Sequence, residues 1–115
     1  TLFRSFEADE DLQKLAKSVC DEMQIVSHAG KIVSGDAFIT DSAVKAKIVE
    51  AHDPYAVDME TAAIGQCAWR NKVPFVSVRC ISDLADDEGA MSFDEFEVLA
   101  AKRVGEIVMK MCERE

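Results

Sequence analysis

The side chains of this sequence that are best suited to chemistry lie in the segment Val78 to Asp86. Arg79 lies near the end of an apolar run that predicts a buried strand from Lys72 to Ile81, and Ser82 and Asp83 follow it. Polar side chains at the carboxyl end of such a strand lie where open α/β sheets bind small ligands. A carboxylic acid that is partly desolvated there can donate a proton to a substrate. Asp83 is therefore a candidate general acid.

Three further segments belong to the same argument. Upstream, Ile32 to Ile39 contains the letters SGDAFI, and Val57 to Thr61 has the sequence VDMET. Downstream, Ser92 to Phe96 has the sequence SFDEF, and the segment around Asp83 has the sequence RCISDLAD. In this order the four motifs resemble the C-terminal half of the 5'-methylthioadenosine/S-adenosylhomocysteine nucleosidases, a family of the nucleoside phosphorylase/hydrolase superfamily. The resemblance extends over nearly the whole chain.

The resemblance implies a fold, a reaction and an assembly. The fold is an α/β fold in which helices flank a mixed sheet. The reaction is hydrolysis of the N-glycosidic bond of methylthioadenosine and S-adenosylhomocysteine, which releases adenine and a 5-thioribose. Such a bond breaks through an oxocarbenium-like ribosyl cation. The resemblance implies no metal and no organic cofactor. The partner is a small nucleoside, and the enzyme is a homodimer in which part of the pocket for the thio side is donated across the interface.

The resemblance implies that two acids, Asp83 and Glu60, carry the reaction. Asp83 matches the general acid that gives a proton to N7 of adenine; from the residues alone it is more simply a turn or helix-capping aspartate. Glu60 matches the residue that accepts hydrogen bonds from the ribose 2'- and 3'-hydroxyls, where its charge also lies beside the developing cation. The competing interpretation of Glu60 is a first-turn glutamate favoured by the helix dipole.

The remaining candidates are implied to bind or orient the substrate. Phe38 and Ile39 match the residues that hold adenine, and Met59 would pack against the sugar. Arg79 and Ser82 would orient Asp83 and the acids on the ribose side. Without the resemblance, Phe38 and Met59 are ordinary core residues. For Arg79, a paired charge at a strand end is an equally good interpretation.

One position departs from the family pattern. The family has VEME where this chain has Val57-Asp58-Met59-Glu60. The shorter Asp58 leaves Glu60 in register and predicts a changed hydrogen bond near the ribose.

The resemblance also implies that residues 1–115 are a single partial domain, the C-terminal portion of a nucleosidase-like domain. The missing half would supply a glycine-rich substrate loop and the carboxylate that activates water, so we expect this chain alone to be inactive. Two alternatives stay open. A purine nucleoside phosphorylase of the same superfamily would use phosphate in place of water, and a non-catalytic fragment would act only through assembly.

The composition argues against nucleic-acid binding and membrane association, and it indicates the state of the cysteines. The formal net charge of -9 argues against nucleic-acid binding, which requires a basic face. No apolar run is long enough to span a bilayer, so no membrane association is expected. The cysteines form no CxxC pair and lie in apolar patterns, which predicts reduced, buried thiols in a cytoplasmic protein. They are Cys20, Cys67, Cys80 and Cys112.

Periodicity predicts alternating helices and strands. Helices are expected over Ala8–Met23, from Asp41 or Ser42 to Ala51, over Thr61–Asn71 with Ile64 and Cys67 inward, and after a capping box at Ser92 and Glu95. Strands are expected over Gly30–Ile39, Tyr55–Met59 and Lys72–Ile81. The first helix has apolar residues at helical spacing: Leu12, Leu15, Ala16, Val19, Cys20 and Met23. The last helix carries one apolar stripe, formed by Phe96, Ala100, Val104, Ile107, Val108 and Met111.

Overall fold

The computed structural model describes residues 5–35, 41–81 and 93–114, and in the last range it describes side chains from residue 97 onward. Helices and strands alternate from the first helix to the third and the two strands are parallel, which confirms the α/β class. The elements are α1 (Glu10–Glu22), β1 (Ile32–Ser34), α2 (Ser42–His52), β2 (Ala56–Asp58), α3 (Thr61–Arg70) and α4 (Phe93–Arg114).

The two strands pair in parallel, with Ile32 opposite Ala56 and Ser34 opposite Asp58. Helix α2 lies between them in sequence, because parallel neighbours need a crossover connection. One more backbone bond, from the Gly35 N–H to the Asp58 carbonyl (3.1 Å), extends the pairing past the last register pair. The carboxyl ends of both strands therefore lie side by side, immediately before α3 begins.

Aspartates begin the first two helices. The Asp9 carboxylate accepts a hydrogen bond from the Leu12 N–H at 3.0 Å, and the Asp41 carboxylate accepts one from the Ala43 N–H at 2.8 Å. Each satisfies an amide that has no partner within its helix. Asp41 and Ser42 were both predicted as possible caps of this helix, and the structure has Asp41. The capping box at Ser92 lies outside the described residues.

The core of the described part of the chain lies between α1 and α4. Its buried side chains are Val19 and Cys20 from α1 and Ile107 and Met111 from α4, and Val19 is fully buried. These positions belong to the predicted apolar faces, so the central part of each face is confirmed. The edge of the α4 stripe is different, because Val108 is 44% exposed. Residues of α1, of the turn that follows it and of the segment after α3 pack against this core: Leu15, Ala16, Met23, Ile25, Val76 and Val78.

The strand predicted over Lys72–Ile81 is wrong for this structure. In the described part of the chain, residues 74–81 exchange one backbone hydrogen bond with another segment, from the Asp9 N–H to the Phe75 carbonyl (2.8 Å). A strand needs a continuous ladder of such bonds. Within the apolar run, Val76 and Val78 are partly buried against the α1–α4 core, whereas Val73 and Ile81 are more than half exposed.

The inward face predicted for α3 is also wrong. Ile64 is 59% exposed and Cys67 is exposed. The buried position is Gly65, where an added Cβ would lie 3.0 Å from the Phe75 ring and 3.3 Å from the Phe6 Cβ. The helix therefore packs through its smallest residue, because the two phenylalanines occupy the space beside it.

The cysteines are free, as expected, but their predicted burial holds only for Cys20. Cys67 and Cys112 are exposed, and Cys80 is intermediate. Among the described residues, no helix has the length and apolar character needed to cross a membrane.

Candidate active site

The best-connected polar group lies at the carboxyl edge of the sheet and is centred on Asp58. The side chain of Asp58 is only 6% exposed. Its Oδ1 accepts hydrogen bonds from the Ser34 hydroxyl at 2.5 Å and from the Thr61 backbone N–H at 3.3 Å. Its Oδ2 accepts a hydrogen bond from the Thr61 hydroxyl. Both carboxylate oxygens are therefore held by protein donors.

Ser34 extends this network to the helix. Its hydroxyl donates to Asp58 and its oxygen accepts a hydrogen bond from the Ala62 N–H at 2.9 Å. The amides of Thr61 and Ala62 are in the first turn of α3 and have no partner within the helix. Side chains from the ends of β1 and β2 therefore satisfy them, which fixes the start of α3 against the sheet.

Arg79 joins Asp58 to a second acid. Its Nε lies 3.5 Å from Oδ2 of Asp58, and its Nη2 lies 3.4 Å from Oε2 of Glu60. The exposed fraction of the side chains rises along this series, from 6% for Asp58 to 42% for Arg79 and 58% for Glu60. The ion pairs run from the buried edge of the sheet outward to solvent.

Glu60 is the N-cap residue of α3, yet its side chain makes no capping hydrogen bond. The carboxylate that accepts from the first turn belongs to Asp58. Glu60 therefore does not cap the helix through its side chain, while its position at the N-terminus of α3 still allows the favourable interaction with the helix dipole. The half-exposed Glu60 carboxylate has accepting capacity left for a ligand, because one long contact to Arg79 does not saturate its two oxygens.

The pKa of the Asp58 carboxyl is lowered. Burial alone would raise this pKa, and the hydrogen bonds from Ser34 and Thr61 together with the Arg79 charge outweigh it. Asp58 therefore stays ionised at neutral pH. It is a fixed negative charge and is not suited to donate a proton.

The sequence-predicted residues divide into two groups. Glu60 and Arg79 are in direct contact, and Met59, between the two acids, is 44% exposed. Phe38, Ile39, Ser82 and Asp83 lie outside the described residues. Ser34 and Thr61 were not expected in the site from the sequence, and Asp58 was singled out there only as a departure from the family pattern near the ribose. One sequence feature could have indicated this network. A short side chain with a hydroxyl or carboxyl group ends each strand, at Ser34 and Asp58, and another begins α3, at Thr61, although such residues are also common helix caps.

Comparison with known proteins gives this site a family. The family model described as the phosphorylase superfamily matches residues 2–113, so the chain belongs to the phosphorylase superfamily. The resemblance inferred from the four motifs is confirmed.

Individual relatives are more specific. The chain is 44% identical over 108 residues to the 5'-methylthioadenosine/S-adenosylhomocysteine nucleosidase of Staphylococcus carnosus, covering 93% of this chain and 47% of that protein. The crystal structure of the Campylobacter jejuni nucleosidase of the same name has a TM-score of 0.91 at 40% identity, covering 96% of this chain and 48% of that one. The futalosine hydrolase of Helicobacter pylori has a TM-score of 0.89 at 34% identity, covering 100% and 51%. The chain therefore spans about half the length of these relatives.

Proposed function

We propose that the protein to which this chain belongs hydrolyses the N-glycosidic bond of 5'-methylthioadenosine and S-adenosylhomocysteine, releasing adenine and a 5-thioribose. The family membership and the names of the two most identical relatives described above support this proposal. The structural observation that carries it is the Glu60 carboxylate. It is held by Arg79 beside the sheet edge, it is 58% exposed, and it takes no part in capping α3.

The ribose is the part of the substrate that Glu60 suits. A carboxylate accepts hydrogen bonds from two hydroxyls at once, as the 2'- and 3'-hydroxyls require. When the glycosidic bond stretches, positive charge develops on the ribosyl group. A carboxylate fixed beside that group stabilises the transition state more than the ground state. Arg79 limits the rotation of Glu60 and keeps its charge at one position.

The leaving base requires a proton, and Asp83 is our proposed donor. Adenine leaves poorly as an anion, so protonation of N7 precedes or accompanies cleavage. Asp83 follows Arg79 closely in the sequence, and Arg79 is in the described site. We assign Ser82 to orienting this acid, and Phe38 and Ile39 to binding adenine. Phe38 and Ile39 follow Ser34 closely, and Ser34 contacts Asp58. Met59 is assigned to the sugar face.

The rest of the mechanism is assigned to the portion of the relatives' length that this chain does not span. We place the carboxylate that activates the attacking water there, and we expect residues 1–115 alone to be inactive. We further propose that the active protein is a cytoplasmic homodimer that binds a small nucleoside and neither nucleic acid nor membrane.

The test is release of free base by two proteins, residues 1–115 and the full-length gene product. Each is incubated with methylthioadenosine, S-adenosylhomocysteine or futalosine, with and without phosphate. Futalosine is included because of the similarity to the Helicobacter pylori hydrolase. Adenine release by the full-length product without phosphate supports the proposal. A requirement for phosphate assigns the protein to the phosphorylases, cleavage of futalosine alone changes the substrate, and no release supports the non-catalytic alternative.

A further inference from the structure

We propose that Asp58 is a positioning residue, which holds the Arg79 guanidinium so that Glu60 keeps its oxygens available for the ribose. The inference rests on the proposed function of this site. Asp58 itself is too buried to reach a substrate, since its side chain is 6% exposed. Its oxygens accept hydrogen bonds from Ser34 and Thr61, and one of them lies 3.5 Å from Nε of Arg79 in an ion pair.

The geometry of the guanidinium supports this role. The Nε–H and one Nη–H of an arginine form a fork that suits both oxygens of a single carboxylate. Here two acids divide the fork, because Nε faces Asp58 at 3.5 Å and Nη2 faces Glu60 at 3.4 Å. Without the Asp58 charge, the whole fork is free to turn toward Glu60. A bidentate pair would then occupy both Glu60 oxygens and compete with the ribose hydroxyls.

Asp58 is fixed well enough to act as this anchor. Ser34 belongs to β1 and Thr61 to α3, so the carboxylate is tied to two elements besides its own strand. Each oxygen of the Asp58 carboxylate accepts a hydrogen bond from Ser34 or Thr61, and this fixes the orientation of the carboxylate. Arg79 and Glu60, whose side chains are 42% and 58% exposed, are held by fewer contacts. Asp58 therefore restrains Arg79, and Arg79 in turn restrains Glu60.

The test is a double-mutant cycle in the full-length gene product, with methylthioadenosine as substrate. Asp58→Asn keeps the shape and removes the charge, and Glu60→Gln does the same for the second acid. We expect Asp58→Asn to lower kcat about tenfold or more and to raise KM, because Arg79 then competes with the ribose hydroxyls for Glu60. In the Glu60→Gln background the same substitution is expected to change kcat by less than about twofold, because its target is already neutral. Asp58→Glu, which restores the charge, is expected to recover most of the loss.

A purely structural role would give a different pattern. Asp58→Asn would then lower kcat by the same factor with Glu60 or Gln at position 60, and that result overturns the proposal. Wild-type kcat in Asp58→Asn overturns it as well. If Asp58→Asn does not fold, Arg79→Lys replaces it in the cycle, since an ammonium has no fork to divide between two acids. Equal losses in the two backgrounds would again contradict positioning.

A second measurement does not depend on activity. The Arg79 Nε–H proton is followed by NMR in the wild type and in both single variants. We expect slow exchange in the wild type and in Glu60→Gln, and fast exchange in Asp58→Asn. Fast exchange in Glu60→Gln with slow exchange in Asp58→Asn would make Glu60 the anchor and overturn the proposal. If the wild type cleaves no nucleoside, the proposed function fails, while this measurement still decides which acid holds Arg79.

Discussion

Nε of Arg79 lies 3.5 Å from Oδ2 of Asp58, and the two side chains differ sharply in exposure, at 42% and 6%. The buried Asp58 carboxylate thus restrains the partly exposed Arg79 guanidinium. The outer nitrogen of that guanidinium, Nη2, contacts Glu60. The usual weakness of a surface ion pair is the freedom of both partners. Here Asp58 is already fixed by Ser34 and Thr61. The ion pair therefore reduces the conformational freedom of Arg79 alone.

The first prediction concerns Glu60. Glu60→Gln in the full-length gene product should lower kcat for methylthioadenosine by about two to three orders of magnitude, because it removes a charge opposite the ribosyl cation. The side chain is 58% exposed and makes no capping bond, so thermal stability should be nearly unchanged. Steady-state adenine release and a melting curve measure the two effects. A loss of only about twofold would return Glu60 to the status of an ordinary helix-terminal acid.

The second prediction concerns Asp83. Asp83→Asn should abolish adenine release and leave the fold intact, because an amide cannot supply the proton that N7 needs. The matched control is Asp87→Asn, in the same acidic segment of the sequence but outside the family motif, which should keep wild-type activity. Near-wild-type turnover by Asp83→Asn would remove this residue from the mechanism. Circular dichroism of each variant separates lost chemistry from lost structure.

Sequence reasoning found the elements that depend on local signals. The cap at Asp41 and the apolar positions Val19 and Ile107 follow from short-range rules, and the structure has them. The strand expected over Lys72–Ile81 failed because apolar character alone does not supply a neighbouring backbone, and a strand needs one to pair with. Periodicity also assigned Ile64 to the core of α3, although the phenylalanines beside Gly65 decide which face is buried.

The site shows the same division. Motif resemblance identified Glu60 and Arg79, and the structure brings them within 3.4 Å. Ser34 was passed over, because its hydroxyl gains a role only when parallel register places it opposite Asp58. Register is a long-range property that depends on the crossover between the strands. A single sequence therefore shows which residues have suitable chemistry more readily than which residues hold them.

The third prediction compares two helix glycines. Gly105 in α4 has no atom within 4 Å of an added Cβ, so Gly105→Ala should raise the free energy of unfolding by about 0.5–1 kcal/mol through helix propensity. Gly65→Ala gains the same propensity but places its methyl group 3.0 Å from the Phe75 ring. We expect a net loss of about 1 kcal/mol there, because crowding outweighs the gain. Urea unfolding of both variants measures the difference. Equal stabilisation by both would show that Phe75 moves aside freely.

The last prediction is a pH dependence of stability that follows from Asp58. Burial alone would raise its pKa, but the hydrogen bonds of Ser34 and Thr61 and the Arg79 charge hold it below the ordinary value. A carboxyl with a lowered folded-state pKa binds its proton more weakly in the folded than in the unfolded protein. Its contribution to stability is therefore complete above the unfolded pKa of about 3.9 and is lost as the pH falls through the folded pKa.

The measurement is urea unfolding of the wild type and of Asp58→Asn as a function of pH. The difference in free energy of unfolding should be constant from pH 7 to about pH 5 and should shrink below about pH 4, because only the wild type then loses a charge. Asp21→Asn is the control, since Asp21 forms an exposed ion pair with Lys17 and should differ from the wild type by less than about 0.5 kcal/mol throughout. A difference for Asp58→Asn that grows as the pH falls would have the wrong sign. It would mean that burial dominates, and that Ser34, Thr61 and Arg79 do not hold Asp58 as the geometry indicates.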